Sequence, residues 1–172
     1  MQIGGGGVLI EADSNVFAKL LSNRPNPNVA KYNVAICEYD GEVEFLQVSG
    51  YAQMLSGIVS AYDKRHLERI EREVRRFGGS INKIKMQGAR FDSIMKNHQR
   101  HIDYLSIDVE GGEMGILKSI DFSAYDITLI GIENNYYTNE IPNFLHDKGY
   151  VKFIRLGCDE FYTKPHKGQG IG

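Results

Sequence analysis

Several features that mark other classes of protein are scarce or missing in this sequence. Only two cysteines occur, Cys37 and Cys158, which are too few for a disulfide framework and fit a reducing, cytoplasmic setting. The net charge of −2 lacks the basic excess that a general nucleic-acid binder normally carries. No apolar run approaches the roughly 20 residues that cross a bilayer. The composition therefore predicts a cytoplasmic protein that binds neither nucleic acid nor membrane.

The chain does have an ordinary core-forming composition. Its 172 residues are 42% hydrophobic and 24% charged, which suits one domain with a real core and hardly allows two. No internal repeat or linker is recognisable, so we predict a single domain over residues 1–172. The glycine-rich start, 1–7, and the tail, 164–172, have no core-forming pattern, and we expect both to be flexible.

Apolar strands alternate with helical patterns along the chain. The spacing of apolar residues predicts a helix from Ser14, with Ser14 as its cap, and further helices over 63–77, 91–95, 113–118 and 140–148. It predicts strands over 8–10, 32–36, 43–46, 84–86, 102–107, 127–132, 150–154 and 161–163. The turn at 39–41 predicts a hairpin between the strands 32–36 and 43–46. Segment 49–60 has no clear period and is predicted to be a loop. Because the central strands are apolar on both faces, we predict an α/β fold with a mostly parallel sheet and an antiparallel pair at its end.

Three of the apolar strands end in a carboxylate. They close on Glu11, Asp108 and Glu133. The carboxyl ends of parallel strands share one edge of a sheet, where ligands of open α/β sheets bind. Asp108 is followed by Glu110 and by the pair Gly111-Gly112, and glycines there allow a ligand to approach closely. The pattern therefore predicts a ligand cleft that contains several carboxylates.

Each acid also has a plainer interpretation. A single Asp or Glu at the end of a strand is often a helix cap or a solvated loop residue. For Glu11, a cap and a hydrogen bond to a ribose diol are equally good interpretations. For Asp108 and Glu110 together a functional role is favoured, and Glu133 gains weight only from its neighbours. The turn that holds Asp159 should reach the same edge if the final strand is antiparallel.

Other candidates are weaker. The helix over 63–77 carries mixed charge and is best interpreted as a solvated amphipathic helix, with a lid over the cleft as the functional alternative. His98 and His101 lie on a polar segment, so we assign no metal site to them. Cys37 is interpreted as a small apolar core residue.

Residues 102–113, Ile-Asp-Tyr-Leu-Ser-Ile-Asp-Val-Glu-Gly-Gly-Glu, resemble the hallmark of the FkbM-type S-adenosylmethionine-dependent methyltransferases. Further segments resemble this family in the same order: the strand and acid at 7–12, the Ser-Gly loop at 56–58, the strand ending at 132–135 and the terminal hairpin at 157–162. The resemblance implies a class I methyltransferase fold. That fold is a doubly wound, Rossmann-like, mostly parallel sheet whose last strand is antiparallel.

The resemblance also implies a function and a set of site residues. It implies an enzyme that uses S-adenosylmethionine to O-methylate a hydroxyl on a sugar or a secondary metabolite, so the partner is a small-molecule or glycan acceptor. The implied cofactor-binding residues are Glu11, Ala35, Ile36, Ser56 and Asp108. The implied catalytic residues are Asp108, Glu110 and Glu133, with Asp108 or Glu110 as the general base and Glu133 placing the acceptor. A divalent ion on these acids is an alternative, because Mg²⁺ and Ca²⁺ favour oxygen ligands.

One part of the family pattern is missing. A first strand and a glycine-rich cofactor loop should precede Gly7, and the four glycines at 4–7 are no substitute because a strand follows them. In this fold the missing strand lies between those that end at Glu11 and Asp108. We therefore expect the chain to close that gap, to borrow a strand, or to be an N-terminally truncated member. Two alternative functions follow: a non-catalytic remnant or binding domain of the same fold, and a metal-dependent hydrolase that uses the acidic cluster.

Overall fold

The computed structural model describes residues 6–165. Its strands are β1 (Gly7–Ile10), β2 (Val29–Tyr32), β3 (Ala35–Ile36), β4 (Gly41–Val48), β5 (Gly57–Ile58), β6 (Ile81–Ala89), β7 (His101–Ile107), β8 (Asp126–Glu133), β9 (Val151–Leu156) and β10 (Asp159–Thr163). Its helices are α1 (Ser14–Asn23), α2 (Lys64–Phe77), α3 (Phe91–Met95), α4 (Glu113–Lys118) and α5 (Glu140–Asp147), with 3-10 helices at Gly50–Leu55 and Val59–Ala61. The segments expected to be flexible lie largely outside the described residues, although Gly7 already belongs to β1.

The acids after β7 and β8 belong to a four-stranded sheet with the order β7-β8-β10-β9. Strands β7 and β8 are parallel, whereas β10 runs antiparallel to both β8 and β9. The predicted antiparallel pair at the end of the sheet is thus confirmed. Asp159 lies opposite Glu133 in the register, so the turn before β10 reaches the predicted edge.

A single continuous, doubly wound sheet is not confirmed, and the predicted mostly parallel pairing is wrong for the described residues, where three strand pairs are parallel and four are antiparallel. Within residues 6–165, β1 pairs in parallel with β2 alone, and β7 pairs with β8 alone. The strands that end near Glu11 and Asp108 therefore belong to two separate sheets, with no described strand between them. The gap expected from the family pattern remains open in the described part of the chain.

The third sheet has the order β3-β6-β4-β5 and corrects two predictions. The predicted hairpin across 39–41 is wrong, because β6 lies between β3 and β4 and pairs with both. The single strand predicted over 32–36 is also wrong, since the chain changes sheet after β2. The side-chain amide of Asn33 holds this change of direction by donating to the carbonyl oxygens of Glu11 and Ala12, at 2.8 and 2.9 Å.

The largest core lies under the four-stranded sheet. Its central residues come from the strands and from α4 and α5: Ile107, Ile116, Leu117, Ile130, Ile132, Ile141, Leu145 and Tyr162. Burial of each such side chain contributes roughly 1.5–3 kcal/mol, which fixes the carboxyl ends of β7 and β8 relative to each other. Cys37 is buried beside Ala35 and Val43, as predicted for an apolar core residue. In the described part of the chain, no helix is both long and apolar enough to cross a membrane.

The segment predicted to be a loop, 49–60, is more ordered than its pattern indicated. It forms the two 3-10 helices and β5. Such helices repeat every three residues, so the apolar spacing of an α-helix is absent from their sequence. The buried residues Ala52 and Leu55 pack there against Ile70 of α2, which attaches α2 to this segment.

The turn after α2 supplies a first test. Gly79 has φ 133°, and a Cβ atom at this position would lie 2.2 Å from the carbonyl oxygen of Ser49. Because that oxygen belongs to the backbone, relief requires movement of the whole turn. We expect Gly79→Ala to lower the free energy of unfolding by about 2–4 kcal/mol in urea denaturation.

Gly78 is a matched control for this substitution. It has φ 77°, but a Cβ atom there would meet nothing within 4 Å. Gly78→Ala should therefore cost only the left-handed backbone strain of about 1–2 kcal/mol. Equal losses of unfolding free energy in the two variants would show that the contact with Ser49 does not contribute to the cost of Gly79→Ala.

Candidate active site

A cavity of about 530 Å³ opens where the three sheets meet. This volume falls within the roughly 300–1,000 Å³ of ordinary small-molecule sites. The cavity wall includes every residue that the family resemblance assigned to the cofactor: Glu11, Ala35, Ile36, Ser56 and Asp108. It also includes Glu110, whereas Glu133 is not one of its lining residues.

Glu11 stands at the end of β1 in a fixed orientation. Its Oε1 accepts a hydrogen bond of 2.7 Å from the backbone N–H of Asp13. Asp13, rather than the predicted Ser14, is the N-cap of α1, because its Oδ1 accepts from the N–H groups of Asn15 and Val16. The capping role is thus filled by Asp13, and Glu11 keeps its carboxylate at the cavity. Burial raises the pKa of Glu11, and the bond from Asp13 opposes that rise.

The loop after β7 turns sharply to present its acids. Glu110 has φ 55° and Gly111 has φ 111°, so a non-glycine residue occupies the left-handed region here. Such strain persists only where surrounding contacts hold it, and it is concentrated at functional sites. The contact in this loop is the bond of 2.9 Å from the N–H of Gly111 to Oε1 of Glu113, at the start of α4.

The structure brings the three predicted catalytic acids together. One carboxylate oxygen from each of Asp108, Glu110 and Glu133 lies within 4.8 Å of the others. Burial and the charge of Glu133 raise the pKa of Glu110 to about 7. Burial and the charge of Asp108 raise the pKa of Glu133 as well. A carboxyl group that titrates near neutral pH can exchange a proton with a substrate, and this set of oxygens would also suit a divalent cation.

Glu133 is held by two further groups. Its Oε2 accepts a bond of 2.6 Å from the side-chain amide of Asn135, and the thiol of Cys158 lies 3.5 Å from its Oε1. These bonds fix the carboxylate that faces Glu110. The motif Glu133-Asn134-Asn135, weak as a sequence signal, therefore contributes a positioned acid together with the amide that positions it.

Helix α2 lies against the acid cluster. Nη1 of Arg69 is 3.7 Å from Oε2 of Glu110, and its charge partly offsets the rise in the pKa of Glu110. The guanidinium of Arg65 stacks 3.9 Å from the ring centre of Tyr136, which follows β8. These contacts agree with the position that a lid would occupy, and the lid remains a hypothesis.

Two lining residues had no sequence signal. Tyr51 and Met54 are 61% and 58% exposed and lie on the first 3-10 helix at the cavity wall. Segment 49–60 has no clear apolar period, so neither residue could be predicted from it.

Ser56, in contrast, was assigned a cofactor contact, but its hydroxyl is bonded to the backbone. It donates to the carbonyl oxygen of Gln53 at 2.7 Å and accepts from the N–H of Val48 at 3.0 Å. Ser56 therefore shapes the wall by fixing this segment to β4.

The raised pKa of Glu110 predicts a dependence of stability on pH. The folded protein keeps the proton of Glu110 up to about pH 7, whereas the unfolded chain releases it near 4.5. Stability from this group is therefore lost as the pH rises between these values. Glu110→Gln stays neutral, and we expect it to be more stable than the native protein by about 1–3 kcal/mol at pH 8, with the gain falling below about 1 kcal/mol at pH 5.

Denaturant unfolding at the two pH values measures this difference. Glu44→Gln, at an exposed position on β4, is a suitable control, and its effect should stay within about 0.5 kcal/mol at both pH values. A gain for Glu110→Gln that is the same at both pH values would contradict a raised pKa.

Comparison with protein-family models identifies the family of the chain. The family model described as the Methyltransferase FkbM domain matches residues 1–152, which include Glu11, the acid cluster and most of the described structure. No curated protein and no solved structure matches the chain at a significant level. The family model covers most of the chain, including the strands that bring Glu11 and Asp108 to the cavity, and the chain therefore belongs to the FkbM methyltransferase domain family.

Proposed function

We propose that this methyltransferase domain uses S-adenosylmethionine and methylates a hydroxyl oxygen of a small-molecule or glycan acceptor. The observation that carries the proposal is one cavity with Glu11 on one wall and Asp108 with Glu110 on another. The first wall suits a ribose diol, and the second suits an acceptor hydroxyl.

The chemistry of the cavity walls fits the cofactor. A carboxylate at the end of a parallel strand is the usual partner of a ribose diol in nucleotide-binding α/β folds, and Glu11 has this position. Ala35, Ile36 and Ile58 supply apolar wall for a flat base. The exposed carboxylate of Asp108 supplies negative charge that favours a positively charged sulfonium. When bound, S-adenosylmethionine supplies an electrophilic methyl group.

The residues of the chain then have two tasks. The first is alignment, because a methyl transfer needs the acceptor oxygen in line with the methyl carbon and the sulfur. The second is removal of the hydroxyl proton as the new carbon–oxygen bond forms. Glu110 takes this proton, since at neutral pH a large fraction of its carboxyl group is ionised. Glu133, which is fixed by Asn135 and has an oxygen within 4.8 Å of Glu110, helps to place the acceptor through the carboxylate of Glu110.

Binding of S-adenosylhomocysteine tests the cofactor half of the proposal. Glu11→Gln replaces one acceptor oxygen by a donor, and we expect affinity measured by calorimetry to fall about tenfold or more. Glu44→Gln, on the exposed face of β4, should bind as the native protein does. No detectable heat from the native chain at millimolar ligand would overturn the proposal for this chain and favour a non-catalytic domain of the same fold.

Methyl transfer to a panel of hydroxylated sugars tests the catalytic half. We expect Glu110→Gln to transfer methyl groups about 10²–10⁴ times more slowly, while its affinity for S-adenosylhomocysteine changes by less than about threefold. In the native protein kcat/KM should rise with pH through an apparent pKa of about 7, because the base must be ionised. A variant that keeps both its rate and this pH profile would exclude Glu110 as the base.

A further inference from the structure

One face of the four-stranded sheet is apolar and exposed. Strand β9 carries Val151, Phe153, Ile154 and Leu156, which are between 41% and 59% exposed. The two positively charged side chains of β9 contact other residues of the chain. Lys152 bonds to Glu160 at 2.9 Å, and Arg155 lies 4.8 Å from the ring centre of Tyr137.

The register shows that these apolar side chains share a face with residues of the inner strands. Ile154 pairs with Phe161, and Phe161 pairs with Gly131 of β8. The strand β9 bulges at Phe153, whose ring lies 6.4 Å from that of Phe161. A Cβ atom at Gly131 would lie 2.5 Å from the Tyr104 hydroxyl and 3.1 Å from the Phe161 ring, so both rings lie over this glycine.

We call this surface the aromatic face and define it by Tyr104, Val151, Phe153, Ile154, Leu156 and Phe161. It spans the sheet from β7 to β9, and Tyr104 at its far side is 50% exposed. The opposite face carries Ile107, Ile130, Ile132 and Tyr162, which are buried in the largest core. A sheet that is apolar on both faces normally has both faces covered. In the described residues only one face of this sheet is covered.

We propose that two copies of the chain pack through the aromatic face, sheet against sheet, about a two-fold axis. The six side chains that define this face are uncharged, and the charged neighbour beside Leu156 is the acidic Asp159. A nucleic acid or an anionic membrane would instead select a basic surface. A flat sheet face is suited to a second copy of itself, because sheets pack face to face at about 10 Å and a two-fold interface uses the same patch twice.

The exposed area suits a weak, reversible dimer. At about 150–220 Å² for each fully exposed large side chain, the five most exposed residues offer roughly 450 Å² of surface per copy. Two copies would remove roughly 900 Å² from water, close to the value of about 1,000 Å² that separates specific interfaces from chance contacts. An interface of this size predicts a dimer that dissociates at micromolar concentrations.

Sedimentation equilibrium of the full chain, over about 1–200 μM, tests the proposal. We expect a reversible monomer–dimer equilibrium whose dissociation constant rises at least about tenfold in Phe153→Glu. Tyr104→Glu should have the same effect, because Tyr104 lies three strands away on the same face. Leu21→Glu is the matched control, since Leu21 is 47% exposed on α1 and lies outside the aromatic face.

Circular dichroism and thermal melts establish that each variant is folded, and Phe153→Ser replaces Phe153→Glu if the charge prevents folding. A native chain that stays monomeric at every concentration overturns the proposal, as do assemblies that grow without limit. A dimer that dissociates in Phe153→Glu but persists in Tyr104→Glu also overturns it, because that result indicates pairing along the edge of β9. Dissociation in Leu21→Glu would place the interface elsewhere.

Discussion

Mutual repulsion among the carboxylates of Asp108, Glu110 and Glu133 is the constraint on which the candidate site depends. Three acids whose oxygens lie within 4.8 Å would separate if their backbones were free to move. They are held by the buried core beneath β7 and β8, by the strained turn at Glu110 and by the amide of Asn135. Arg69 on α2 adds one nearby cation. Burial, together with the repulsion that these contacts oppose, raises the pKa of Glu110 to about 7, where a proton acceptor is useful.

The cavity lies where three sheets meet rather than within a single element. Glu11 comes from the two-stranded sheet, Asp108 and Glu110 from the four-stranded sheet, and Ala35 and Ile36 from the third. Each sheet brings one kind of surface: a positioned carboxylate, an acid cluster or an apolar wall. The acids end strands that precede helices, whereas Ala35 and Ile36 of the apolar wall belong to β3, which pairs in parallel with β6. A ligand that spans the cavity would contact all three sheets at once.

The sequence predicted the parts of this arrangement that depend on local pattern. Apolar runs that end in an acid identified β1, β7 and β8. The acids after β7 and β8 do meet, and Glu11 lies on another wall of the same cavity as Asp108. The local pattern could not predict which strands pair when they are distant in the chain, and it therefore missed the insertion of β6 between β3 and β4. It also missed Tyr51, because a 3-10 helix lacks the period that reveals an α-helix. Ser14 was predicted as the N-cap of α1 in place of Asp13, because both residue types favour that position.

The isolation of the β1–β2 sheet has a dynamic consequence. Helix α1, which connects its two strands, contains no fully buried residue, and β1 and β2 are themselves only partly covered. A unit with so little buried surface opens at a lower free energy than the four-stranded sheet, and amide protons there should exchange first. Since Glu11 belongs to this unit, a ligand of Glu11 would bind only those molecules in which the β1–β2 unit is folded. Its binding would shift the remaining molecules to the folded form by mass action. Occupancy of the site and order in residues 7–32 would then rise together.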